Sequence, residues 1–313
     1  MFLAVAVGLS VYAVATRWDE VSTHLGQIGW GRSLACVPLM LGGLFCGMRA
    51  WRAVIGGLGS NLRVREGSRI YFVGQLGKYV PGSVWPVLAQ MELGRDHDIP
   101  RRRSAGALVV AIVISLATGL IVTSATIPFV DGHRHPTLWW LLVPVPFLLA
   151  LLNPRVLWGC LRRLPLLKLR ASLPAPLPNR AMATAVAWST LGWLVYGLHV
   201  AVLASAFHLH SGGTLLAASV GGYALAWAAG LIAIVLPAGA GARDLTLVLA
   251  LGAVLPTNPA VAVAVVSRAV TTVCDLALAG VAAIGVATLM RQHPADDGSL
   301  VAAGRSMNDR STA

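Results

Sequence analysis

The sequence predicts an all-α fold, a polytopic bundle of membrane helices with about eight spans and with re-entrant or broken helices among them. Three observations lead there. Of 313 residues, 57% are hydrophobic and only 12% charged, and the mean hydropathy is +0.74, too apolar for a water-soluble surface of this length. Apolar windows recur at the roughly 20-residue length that crosses a hydrocarbon layer. Lys and Arg are concentrated in a few connections, as the positive-inside rule requires of a chain threaded back and forth.

The windows lie near residues 1–16, 34–54, 104–130, 138–152, 183–207, 214–236, 244–255 and 260–290, the first and seventh being short. The first has no basic n-region but carries Ala13-Val14-Ala15, so a cleaved signal peptide is the alternative to a true span. Basic residues number ten in 49–103, six in 153–182, one in 237–243 and three after 290, against three in 17–33, 131–137, 208–213 and 256–259 together. Eight spans put every basic segment on one side, which predicts both termini in the cytoplasm. Trp139, Trp140 and Trp158 suit interfacial belts. The Pro-rich linker 153–182 is not expected to be a membrane helix. Residues 1–290 form the expected membrane domain, and 291–313, rich in Asp, Gly, Ser and Asn, an expected disordered cytoplasmic tail.

The net charge of +12 rests on two lysines, Lys78 and Lys168, and twenty-two arginines. Without aromatics interleaved among the basic stretches it points to anionic membrane lipid and not to nucleic acid. Cys36, Cys46, Cys160 and Cys274 lack C-x-x-C spacing, so neither a metal site nor a disulfide framework is expected. No cofactor is implied, and no catalytic motif of the nucleotide-binding, nucleophile-elbow or zinc-protease kind occurs, so the expected protein is not an enzyme.

Two places break the helical pattern. Residues 69–80 would make a helix of about 18 Å, half a bilayer, before Pro81-Gly82 stops it; Pro86 then opens a second helix over 87–94. This reads as a re-entrant hairpin, the alternative being an interfacial Gly/Pro turn with Lys78 snorkelling. The second break is Leu236-Pro237-Ala238-Gly239-Ala240-Gly241-Ala242-Arg243-Asp244. Freed backbone groups at membrane depth must be buried in protein or face a wet cavity, and half-helix starts favour anions such as phosphate.

Arg268 and Asp275 lie inside the last span, seven residues apart and therefore on one face. Charges at that depth need partners, and the expected pairs are Arg243 with Asp275 or Asp244 with Arg268. Asp96-His97-Asp98 reads as a solvated turn, and Arg101 to Arg103 as the anchor of the next span. His199, His208 and His210 show no metal-ligand spacing.

Gly-x-x-Gly-Lys-Tyr-Val-Pro-Gly-Ser-Val-Trp (Gly74 to Trp85), the Arg95 to Arg103 approach to the third span, Leu-Pro-Ala-Gly-Ala-Gly-Ala-Arg-Asp (Leu236 to Asp244) and Arg49 together resemble the lysylphosphatidylglycerol synthase transmembrane region, a flippase-like family. The resemblance spans about residues 1–290. It implies lipid translocation, with Lys78, Tyr79, Pro81, Gly82, Arg95, Pro237, Gly239, Gly241, Arg243 and Asp244 at motif positions of a headgroup site that Arg268 and Asp275 would complete. The chain stops soon after its last span, so aminoacyl-lipid synthesis is not expected of it. A non-catalytic accessory subunit of a cell-envelope glycolipid enzyme, or a small-solute transporter, are the alternative expectations, and the expected protein partners are a cell-envelope glycosyltransferase or a second copy of this chain.

Overall fold

A computed structural model of the chain describes residues 18–79, 85–131, 140, 142–163, 175–207, 212–233, 239 and 241–292. Ten α-helices occur among them: α1 (Trp18–Gly57), α2 (Val64–Gln75), α3 (Trp85–Arg95), α4 (Arg101–Asp131), α5 (Val145–Leu151), α6 (Pro154–Arg163), α7 (Asn179–Ala204), α8 (Gly212–Ile232), α9 (Ala242–Leu251) and α10 (Thr257–Gln292). Short 3-10 turns follow α2 at Leu76–Tyr79 and α7 at Ser205–Phe207.

Five of these helices, α1, α4, α7, α8 and α10, are long and apolar enough to cross a membrane. They keep large apolar side chains exposed, among them Phe129, Leu191, Leu194, Ile232, Val273 and Leu276, while burying other faces in the bundle. That two-sided apolarity suits a helix packed on protein inside and on lipid outside. The bundle is built on α1, which lies along α7 and also meets α10, while α8 packs against α4, α7 and α9.

Small residues and hydroxyls make the contacts, as expected where no water drives helices together. Thr118 on α4 shares a hydrogen bond with Ser189 on α7 at 2.9 Å and accepts another from the Trp193 indole at 3.1 Å. Thr123 donates to the Gly221 carbonyl of α8 at 3.0 Å.

Several sequence expectations change. The window 138–152 contains α5, seven residues long or about 10 Å, and Trp140 beside it is exposed. The window 244–255 contains α9, ten residues or about 15 Å. Neither helix is long enough to span by itself. Residues 17–33, expected as a connection, are helical from Trp18 onward, and the helix is broken at Gly29 (φ 69, ψ 160), where only glycine sits without strain. The linker 153–182 carries α6, whose Leu157 and Leu161 are buried and whose Trp158 lies under Arg162. The first window, 1–16, and residues 293–313 of the expected tail lie outside the described residues.

The first break is a helical hairpin of half-length arms. Its arms, α2 and α3, are about 18 and 16 Å long at 1.5 Å per residue. They pack on each other, with α2 also against α10 and α3 against α4. Gly77 is required at the crossing, because a Cβ there would lie 2.6 Å from the backbone nitrogen of Pro86. Pro81 and Gly82 themselves lie outside the described residues.

At the second break Gly239 has φ +67, and a Cβ on it would meet the Gly230 backbone of α8 at 2.7 Å. The chain after α8 therefore folds back onto α8 through two glycines, and Gly241 (φ +82) turns it into α9. Pro237 lies outside the described residues. Replacing Gly239 by Ala is expected to lower stability by about 2 kcal/mol, combining left-handed backbone cost with overpacking. Reversible unfolding in detergent micelles measures it, with Gly212→Ala, whose Cβ would meet nothing within 4 Å, as the reference.

Candidate functional site

The two breaks and α10 meet at a cluster of ionisable residues. Lys78, in the 3-10 turn after α2, places Nζ 2.6 Å from Oδ2 of Asp275 on α10. The Tyr79 hydroxyl donates to the same oxygen at 2.6 Å. The Asp275 side chain is only 3% exposed and that of Lys78 25%. A carboxylate so buried costs several kcal/mol unless a cation and further donors receive it, and here consecutive residues of the hairpin turn supply both. The 3-10 geometry matters, because it turns Lys78 and Tyr79 toward α10 where the α-helix ends.

Two helical turns from Asp275 on α10, Nη1 of Arg268 lies 3.8 Å from Oδ1 of Asp244, in the first turn of α9. Asp244 also accepts a hydrogen bond from the Gly241 backbone N–H at 3.2 Å, closing the start of α9. Its neighbour Arg243 turns the other way. Its Nη2 donates to the Tyr223 hydroxyl on α8, and its guanidinium carbon sits 4.8 Å from the centre of that ring. Of the two pairings expected from sequence, Asp244 with Arg268 is present, while Asp275 is taken by Lys78 and not by Arg243.

Behind Arg243 the polar groups continue into the bundle. The Tyr196 ring of α7 stacks on Tyr223 at 5.2 Å, and the His199 ring meets it edge-on at 5.0 Å. His199, fully buried, shares a hydrogen bond with Ser267 of α10 at 2.9 Å. Four elements, α7, α8, α9 and α10, are joined through Arg243 and the aromatic groups beneath it. The sequence reading passed over Tyr223 and Tyr196. Tyr223 is the only hydroxyl-bearing aromatic in a helix otherwise rich in Gly and Ala, and that contrast was the available signal.

Arg95 does not join the cluster. It sits at the end of α3 and pairs with Glu92 at 2.5 Å, while Arg101 pairs with the other Glu92 oxygen at 2.7 Å, all three side chains being exposed. Hydrogen bonds from Arg101 and Arg95 hold the Glu92 carboxyl below its ordinary pKa, so this network is fully charged at neutral pH. Arg95 and Lys78 both fall in family-like motifs, but in space Arg95 pairs within α3, and it is Arg101 that ties Glu92 of α3 to the start of α4. Arg69 lies 3.7 Å from Asp96 in the turn after α3, and Arg103 donates to the Gly59 carbonyl and the Ser60 hydroxyl.

Lys78, Arg243 and Arg268 against Asp244 and Asp275 leave the cluster one positive charge in excess. Arg243 forms no ion pair within 4.0 Å among the described residues, its direct partner being a neutral phenol. Such a centre suits a monoanion, with the Arg fork able to donate two parallel hydrogen bonds to phosphate oxygens.

Spans, half-length hairpin and ion pairs at the junction of the breaks define a polytopic helical membrane protein with a polar centre. Its family follows from the sequence over nearly the same extent: residues 1–279 match the model for the lysylphosphatidylglycerol synthase TM region, and the chain belongs to that family. Membership makes it a membrane protein related to lipid handling. Among curated proteins, none matches the chain significantly.

Removing one member of the buried pair exposes its value. Asp275→Asn is expected to destabilise by about 3 kcal/mol because Lys78 keeps a buried, uncompensated charge, whereas the neutral double variant Lys78→Gln/Asp275→Asn recovers most of that loss. A double-mutant cycle on unfolding in micelles reads the coupling. Strictly additive losses would mean that the contact contributes nothing as a pair.

Proposed function

We propose that the protein moves an anionic lipid, a phospholipid or a polyprenyl-phosphate-linked lipid, between the leaflets of a cytoplasmic membrane, without covalent chemistry. The observation that carries this reading is the cationic excess at the junction of the two breaks. Arg243 is anchored by Tyr223 and left without a carboxylate in direct contact. Membership in a family related to lipid handling supports the substrate class.

In this reading the headgroup phosphate meets Arg243 first. Lys78 joins as Asp275 yields it, with Tyr79 still donating to the carboxylate. Asp244 and Arg268 remain paired and keep the local charge from rising further. Gly239 and Gly241 make the tight turn that delivers Arg243 and Asp244 at the start of α9. The basic segments set the orientation, with both termini in the cytoplasm. A second copy of the chain or a cell-envelope glycosyltransferase would be a partner for delivery or use of the lipid and not part of the transfer step.

The test is transbilayer movement of a labelled anionic phospholipid in proteoliposomes. Arg243→Gln, in a variant shown to fold by its elution and unfolding profile, is expected to slow movement at least tenfold. Lys78→Gln/Asp275→Asn is expected to impair it as well, despite retaining stability. Movement at the parental rate in both would refute the assignment. Stabilisation by water-soluble anions with no response to lipid would indicate a solute transporter instead.

A further inference from the structure

A second basic site lies away from the cluster, where the end of α1 meets the start of α7. A cleft of about 490 Å³ opens there, and the residues lining it include Arg49, Arg52, Arg180, Asn61 and Thr184, with no carboxylate among them. Among the described residues none of the three arginines is in an ion pair. Three guanidinium groups around one cavity repel one another, and a fold that converges them without a counter-charge is stabilised by an anion that occupies the space.

The cleft is also held in shape. The Arg49 guanidinium lies 4.8 Å from the Trp188 ring centre and 5.8 Å from that of Phe45, so the aromatic faces orient it while its N–H edges are left to donate. Arg52 Nε donates to the Leu62 carbonyl at 2.7 Å, which fixes the loop after α1 as one wall. At the base, Gly57 lets α1 approach Ala181 so closely that a Cβ would sit 2.7 Å from the Ala181 methyl. Arg180 is exposed at the mouth. The start of α7 behind it has no side-chain cap, its N-cap residue being Pro178.

We propose that this cleft is a second phosphate-binding site, taking a phosphate-bearing headgroup independently of the Lys78 and Arg243 cluster. Size agrees with chemistry: the volume accommodates a phosphorylated glycerol headgroup, and the exposed apolar residues Phe45 and Leu191 on the same two helices offer surface to acyl chains. The proposal does not rest on transbilayer movement, because a binding site here needs only the cleft.

A photoactivatable short-chain phosphatidic acid, added to the full-length protein in detergent and followed by peptide mapping, tests it. Labelling is expected on peptides bearing residues 49–61 or 178–188, competed by unlabelled phosphatidic acid and not by phosphatidylcholine. Arg49→Gln/Arg180→Gln should reduce it at least tenfold. Thr184→Glu, on an exposed helix position, should do the same by adding the missing negative charge. Lys78→Gln/Asp275→Asn, which retains stability, should leave it intact, which separates this site from the proposed transfer path. Competition by millimolar inorganic phosphate would assign the cleft to soluble phosphate compounds, and resistance to it would assign the cleft to lipid. Unchanged labelling in both the arginine and the Thr184 variants, or its loss in the folded Lys78→Gln/Asp275→Asn variant, would overturn the proposal.

Discussion

A carboxylate with 3% exposure in an apolar bundle sets the terms for everything around it. A carboxylate buried there is costly without a cation and a second donor, and both reach Asp275 from the Leu76–Tyr79 turn of the hairpin. The hairpin must therefore enter the bundle far enough to reach α10. Its two arms must then cross tightly enough to fit, which is why Gly77 has no Cβ to place against Pro86. The second break obeys the same logic from the other side, since Asp244 must be turned toward Arg268 while Arg243 turns toward Tyr223. Adjacent residues on a helix point about 100° apart, so a single helix start delivers opposite charges to two different walls.

The long spans were legible because twenty or more apolar residues leave no other stable arrangement in a membrane chain. The short helices were not. Residues 145–151 and 242–251 lie in windows that read as spans, and nothing in the composition of those windows reveals that the helices in them last only seven and ten residues. Residues 18–33 failed for the opposite reason: polar side chains at Asp19, Glu20 and His24 read as a connection, although a helix carries polar residues without difficulty when it extends past the hydrocarbon layer.

The ionisable members of the cluster stood out because charge in an oily segment is costly. Their pairing did not, because Tyr79 and its neighbour Lys78 lie almost the whole chain away from Asp275, Tyr79 by 196 residues, and a one-dimensional reading offers Asp275 no reason to prefer Lys78 to Arg243. Arg95 shows the converse error. Motif membership suggested a site residue, while the local spacing of Glu92, Arg95 and Arg101 already contained the exposed network that the fold uses. Tyr223 escaped notice because a phenol is neutral, yet its ring and hydroxyl together hold a half-buried arginine without cancelling its charge. A carboxylate in its place would have produced a closed ion pair with nothing left for a ligand.

That difference bears on how a polar centre can bind and release. A site whose cations are all matched by carboxylates must break an ion pair before it can hold an anion, and the desolvation cost of the abandoned carboxylate opposes binding. A site with several unmatched cations would hold phosphate too firmly to let it move on. The cluster lies between these limits, with Arg243 on a neutral partner and Lys78 on a carboxylate that retains Tyr79 as a donor. On the proposed function, an arriving phosphate would gain the donors of Arg243 that Tyr223 does not engage and would compete with Asp275 for Lys78, so the second contact would come at the expense of an existing one. The Lys78–Asp275 pair, on re-forming, would favour release of the headgroup. The proposed second site between α1 and α7 has no carboxylate in its lining to act as such a competitor, and on the same argument it would hold an anion where the cluster would let one go.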